Sequence, residues 1–174
     1  MLIIRKIDLL LYMKIEFDLR GHIKPYQKVT LSFEEFENIF VNDFLHSDTR
    51  KAIFEKYKVF LQDFKKEVLS EGFTHWINGS FVTRKNNPND IDFVSLLDFE
   101  IHAAKLKEID LHFRLAGAKK KYSVDAYSVP VFSKEHKSYA NTQSELAYWT
   151  HWFSNSKKNR NKQKFPKGFI EINF

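Results

Sequence analysis

The sequence predicts an α+β fold, a mixed β-sheet packed by helices. Two observations predict it. Short apolar or alternating runs recur between turn signals, as strands do, and two longer stretches carry apolar residues every three or four positions, as amphipathic helices do. Bulk composition agrees: 174 residues, 43% hydrophobic and 16% aromatic with 18 Phe, suit one well-packed core. A chain of this size buries roughly 70% of the surface its unfolded form exposes, so residues 1–174 are expected to form a single domain.

The elements follow in order. Ile15–Leu19 alternates and reads as a strand, 21–25 as a turn, and Lys28–Leu31 as a second short strand. Ser32 with Glu35 forms a capping box, opening a helix to about Leu45 whose stripe Phe36, Ile39, Phe40 and Phe44 belongs to the core. Ser47-Asp48 caps a second helix, about Thr49 to Glu71, with Ile53, Tyr57, Phe60, Leu61, Phe64 and Val68 on one face and Gly72 at its end. Residues 33–71 are thus a helical N-terminal part. A core over 73–129 follows: strands at Phe73–Asn78 and Ile91–Leu97, a helix from Ile101 to about Leu115 closed by Gly117, and a strand at Tyr122–Val129. The remainder, 135–174, holds an aromatic helix over Ser144–Phe153, a basic stretch over 157–167 expected to be a mobile loop, and a closing strand at Gly168–Ile172. Residues 1–12 are either an added strand or an over-long gene start ahead of Met13.

The absence of cysteine removes disulfides, zinc–thiolate sites and thiol nucleophiles. It suits a reducing cytoplasm, which is the expected location. The apolar run Leu9–Met13 is too short for a membrane span and lacks the pattern of a signal peptide, so no membrane partner is expected. A net charge of +6 favours anionic partners.

The chemistry concentrates in Trp76-Ile77-Asn78-Gly79-Ser80, followed nine residues later by Asp90-Ile91-Asp92-Phe93. Gly79 lets backbone approach a phosphate closely. Ser80 offers a hydroxyl and an N–H to phosphate oxygens. Asp90 and Asp92, two apart in a strand, would leave the same face. Two close carboxylates repel, and a hard cation such as Mg²⁺ relieves this through oxygen ligands. Asp125, mid-strand between Val124 and Ala126, would complete a two-metal site.

This pattern resembles the DNA polymerase β-like nucleotidyltransferase superfamily, and in scale its minimal nucleotidyltransferases. The text from Trp76 to Thr83 and from Asn87 to Asp92 also resembles a group of uncharacterised bacterial and phage nucleotidyltransferase-like proteins, over most of the chain. The resemblance implies a nucleotidyltransferase fold whose sheet carries the Gly-Ser and Asp-x-Asp motifs. It implies a nucleoside triphosphate substrate and Mg²⁺ or Mn²⁺, with Asp90, Asp92 and Asp125 as catalytic metal ligands. Gly79 and Ser80 would hold the β- and γ-phosphates, with Arg84 and Lys85 of the spacer close by. The nucleoside monophosphate would pass to an acceptor hydroxyl, on tRNA or protein, in a toxin–antitoxin or phage-defence setting with a cognate antitoxin or other partner protein. Two departures stand out: a short spacer in which Pro88 limits helix, and no large C-terminal acceptor domain. Two rival readings remain open, a catalytically silent nucleotide- or partner-binding module and an aminoglycoside-type small-molecule enzyme.

Other residues carry less. His75 and His112 read as structural or surface histidines, and His136 and His151 share no metal-ligand spacing. Tyr148, Trp149 and Trp152 read as core before they read as base-stacking groups. The cations of 157–167 could contact a polyanion or simply be solvated.

Overall fold

The computed structural model describes residues 15–174, and the reading of residues 1–12 and Met13 lies outside the described residues. Two short strands, β1 (Glu16–Phe17) and β2 (Ile23–Lys24), form an antiparallel ribbon. The strands β3 (Lys28–Thr30), β4 (Thr74–Asn78), β5 (Asp92–Asp98), β6 (Asp125–Val131) and β7 (Phe169–Asn173) form one sheet in the order β3-β7-β4-β5-β6. The pairs β3–β7 and β5–β6 are parallel, while β4 runs antiparallel to both β5 and β7. The sheet is therefore mixed and the α+β class holds. Pro130 sits in β6, an edge strand, where its missing N–H costs no ladder bond on the open side.

Side-chain alternation divides the sheet into two faces. One carries Ile77, Phe93, Leu97, Ala126, Ile170 and Ile172, all buried in the main core. Helix α1 (Phe33–Glu37) starts at the expected capping box, in which Ser32 Oγ accepts from Glu35 N–H at 3.0 Å and Glu35 Oε2 from Ser32 N–H at 2.7 Å. It continues as a π-helical turn, Asn38–Asn42, slightly short of the expected end. Helix α2 (Arg50–Glu67) buries Ile53, Phe54, Tyr57, Phe60, Leu61 and Phe64 in this core. Each such apolar side chain gains roughly 1.5–3 kcal/mol over remaining exposed, which is why the Phe-rich stripe fixes the helix on the sheet.

His75 and Ser95, paired across β4 and β5, are buried polar residues on that face. His75 is fully buried, with Tyr57 Oη 2.8 Å from Nδ1 and Ser95 Oγ 3.0 Å from Nε2. Burial pushes its pKa down to about 3, so it is a neutral, satisfied core histidine.

The crossover from β5 to β6 differs from expectation. Helix α3 (Phe99–Ala104), capped by the Asp98 side chain, leads through short turns to α4 (Leu115–Tyr122). Gly117 lies inside α4 and does not close a helix. A Cβ there would strike the Leu111 carbonyl, so the glycine permits close backbone packing. Tyr122 belongs to α4, and Ser123, in the left-handed region at φ 58°, ends it. The basic run Lys119–Lys121 thereby lies on the last turn of a helix, where cations meet the negative end of its dipole.

The opposite face of the sheet is covered by α5 (Tyr139–Phe153). Trp149 and Phe153 pack on Trp76, Val94, Val129 and Phe169. At one end of this face the apolar contacts give way to polar groups, and there the sequence motifs meet.

Candidate functional site

Strand register brings the motif residues together. Asn78 at the end of β4 lies opposite Asp92 at the start of β5, and Asp92 lies opposite Asp125 at the start of β6. Residues directly opposite in neighbouring strands share a face, with strands about 4.8 Å apart. Asn78, Asp92 and Asp125 therefore form a polar row across three strands at one end of the α5 face.

Gly79 follows at once, at φ 77°. An added Cβ would fall on the Asp92 carboxylate, so this position needs glycine both for its backbone conformation and for its contact with Asp92. The chain then turns through Ser80, whose carbonyl accepts from Thr83 Oγ1 at 2.8 Å.

The nine-residue spacer contains no helix, consistent with Pro88. It is held by Arg50, which is 0% exposed at the start of α2. Its Nη1 donates to the carbonyls of Phe40 and Phe81 at 2.7 and 2.6 Å. Nη2 donates to those of Thr83 and Lys85, both at 2.7 Å, and Nε to that of Asn86 at 3.3 Å. Phe44 and Phe81 lie against the guanidinium, 3.6 and 5.1 Å from ring centre to Cζ. Five donors meet five carbonyls, so the buried charge is satisfied by dipoles, and burial lowers its pKa to about 10. Nothing in the one-dimensional pattern singles out Arg50, because its partners are backbone atoms.

The three aspartates are not equivalent. Asp90 precedes β5 and does not share its face as a strand residue; its Oδ2 accepts from Lys119 Nζ of α4 at 3.3 Å. Asp92 is partly buried. Burial, then Asp90, then Asp125 push its pKa up to about 6, against the opposing pull of Lys157 and Lys167. Asp125 N–H donates to the Ile91 carbonyl at 3.0 Å, tying β6 to the motif.

Among the described residues, no three His, Cys, Asp or Glu side chains converge into a preformed metal cage. The donor set nevertheless fits a hard divalent cation: carboxylate oxygens only, with Asp92 carrying a charge that its acidic neighbours make costly.

Beside Asp92 opens a cavity of about 400 Å³. Asn78, Gly79 and Asp92 line it, together with Trp152 and Phe153 of α5 and four lysines, Lys157, Lys158, Lys164 and Lys167. The lysines come from the basic stretch, which is a hydrogen-bonded loop: Asn155 bridges Pro166, Ser156 N–H donates to the Phe165 carbonyl at 2.8 Å, and Lys167 N–H to that of Ser154 at 3.0 Å. Arg84 and Lys85 of the spacer are exposed and do not line this cavity. Arg84 lies over the Phe17 ring, 5.6 Å from its centre, and its N–H donates to the Gly21 carbonyl at 2.9 Å.

Asn78, Trp152, Lys157 and Lys167 thus join the site beyond the residues that the sequence motif marks. Asn78 carries a signal, a polar residue ending an apolar strand immediately before Gly-Ser. Lys167 carries almost none, being one of six cations in eleven residues.

A family model described as "Family of unknown function (DUF6932)" matches residues 15–173. No curated protein and no solved structure matches the chain.

Proposed function

The chain belongs to the DUF6932 family, whose function is unknown, and we propose that it is a metal-dependent nucleotidyltransferase, moving a nucleoside monophosphate from a nucleoside triphosphate to an acceptor hydroxyl. The observation that carries this reading is the juxtaposition of Gly79, Asp92 and Asp125 at one end of the sheet, beside a cavity lined by four lysines.

Asp92 and Asp125, with Asp90 once released from Lys119, would hold Mg²⁺ or Mn²⁺. When bound, the metal supplies charge stabilisation for the phosphates and the leaving group. Gly79 and Ser80 bring backbone and hydroxyl donors to the triphosphate. The acceptor oxygen forms a bond to the α-phosphorus as the bond from that phosphorus to the bridging oxygen breaks. Pyrophosphate leaves with the bond's electrons, and the hydroxyl proton passes to the Asp125 carboxylate. No covalent enzyme intermediate is required. The basic loop favours an anionic acceptor, tRNA before protein.

One observation favours the second reading, a silent nucleotide-binding module: the Asp90–Lys119 pair occupies a carboxylate that catalysis would use. The discriminating assay incubates the chain with each α-labelled nucleoside triphosphate, Mg²⁺ and separate pools of tRNA and cell protein, beside Asp92→Asn. Label transferred by the native chain and not by the variant supports transfer and identifies the acceptor class. Metal-dependent nucleotide binding without transfer moves the assignment to the silent module. Neither binding nor transfer defeats both.

A further inference from the structure

Lys167 is only 8% exposed, yet no hydrogen bond or ion pair engages its ammonium among the described residues. An unpaired buried cation is costly unless a partner arrives. Asn78 is 5% exposed, and its Oδ1 is buried without a hydrogen-bond partner, while its Nδ2 donates to the Phe153 carbonyl at 3.3 Å. Both side chains line the cavity beside Asp92. One cation with no hydrogen-bond partner, attracted only through space by Asp92, and one unsatisfied acceptor in the same cavity describe a ligand that is anionic and also carries a donor.

The lining gives its class. Four lysines face one carboxylate, so the ligand carries several negative charges. At about 400 Å³ the cavity matches a small molecule and not a polymer. Trp152 is half exposed along one wall, with Lys164 Nζ 5.7 Å from its ring centre, an apolar surface suited to a flat heterocycle. Phosphates, a hydroxyl-bearing sugar and a flat base occur together in a nucleotide.

We propose that this cavity holds the nucleoside triphosphate itself: Lys167 donates to a non-bridging phosphate oxygen, Lys157 supplies the second cation, Asn78 Oδ1 accepts from a ribose hydroxyl, and Trp152 flanks the base. This rests on the nucleotidyltransferase reading of the same site and deepens it. The phosphate-holding cations then come from the loop between α5 and β7, and not from Arg84 and Lys85 of the spacer. Because the loop is anchored at Asn155 and Pro166, and Lys167 is held by its own N–H, the backbone that carries this lysine is positioned before the ligand arrives.

The test is calorimetric titration of the full chain, in Mg²⁺, with sodium triphosphate, ATP and adenosine. The native chain is expected to bind triphosphate and ATP. Lys167→Met should weaken both by about tenfold or more, since one charge-assisted hydrogen bond is lost. Its melting temperature should not fall, because burial disfavours this charge more than the attraction of Asp92 supports it. Lys157→Gln, at an exposed position, should weaken both by roughly threefold, and Arg84→Gln should change neither by more than about twofold. Trp152→Ala should weaken ATP while leaving triphosphate unchanged. Unchanged triphosphate affinity in Lys167→Met, or no triphosphate binding by the native chain, overturns the proposal; equal loss of both probes in Trp152→Ala overturns the base position. Triphosphate bound through Lys167 with no label transfer leaves this site standing and defeats the transfer function. Label transfer with triphosphate affinity indifferent to Lys167→Met does the reverse.

Discussion

Gly79 shows how one residue can be marked by sequence for one reason and required by structure for another. Its place before Ser80 suggests close approach of a phosphate; in the fold its missing Cβ also makes room for the Asp92 carboxylate. His75 shows a simpler case. Next to the motif it reads as a structural histidine, and in the fold Tyr57 and Ser95 occupy both ring nitrogens in the core. Its pKa, about 3 in the fold against an ordinary 6.5, has a sign that can be checked. Between those values the unfolded chain binds more protons than the folded one, so stability rises with pH and is lost as pH falls from about 6.5 towards 3. The full effect is on the order of 3–5 kcal/mol. His75→Gln, which keeps a donor and an acceptor for its neighbours, should lower stability at neutral pH but flatten this acid limb. Urea unfolding at a series of pH values reads both; an unchanged slope would show that His75 does not titrate with folding.

At the scale of elements, the spacer between Ser80 and Asp90 is shaped by a helix to which it is not adjacent in sequence. Arg50 opens α2 and draws the carbonyls of Phe81, Thr83, Lys85 and Asn86 around one guanidinium. Pro88 in the sequence limits helix in this spacer, but does not predict the fork that holds it. Lysine cannot reproduce five fixed donors. Arg50→Lys should therefore cost about 2–4 kcal/mol, from unmade bonds to buried carbonyls, and should make the segment 81–90 more open to limited proteolysis. Nucleotide affinity should fall as well, although Arg50 does not line the cavity. Equal proteolysis of native and variant chains would remove Arg50 as the organiser of the loop. The misplaced helix end at Gly117 has the same origin. Glycine reads as a terminator in isolation, whereas here the Leu111 carbonyl requires it within α4.

Over the whole molecule, the net charge of +6 is unevenly used. Lys157 and Lys167 face the acidic site and act on Asp92. Arg160 and Lys162 are exposed on the same loop but do not line the cavity. On the proposed function they are free to meet an RNA acceptor. Binding of a tRNA pool should weaken as salt rises, each phosphate contact adding roughly 0.7–0.9 to the log–log slope. Replacing Arg160 and Lys162 together by Gln should lower the slope by about 1.5 and leave triphosphate affinity unchanged. Filter binding across a salt series measures this, and an unaltered slope would move the acceptor contacts off the loop.

The amino-acid sequence by itself determined the α+β class, the capping box at Ser32, the apolar face of α2 and the motif strands, because these depend on periodicity and on neighbours a few residues apart. It also marked Gly79, Asp92 and Asp125, since a carboxylate in an apolar strand stands out without any knowledge of its partners. Tertiary structure alone decided which groups surround them. Sheet order placed Asn78 and Asp125 on either side of Asp92. The return of the chain from α5 into β7 brought Lys167 beside a strand some ninety residues earlier, and buried most of its side chain there. Burial and through-space charge are properties of the packed chain, so no local pattern announces them.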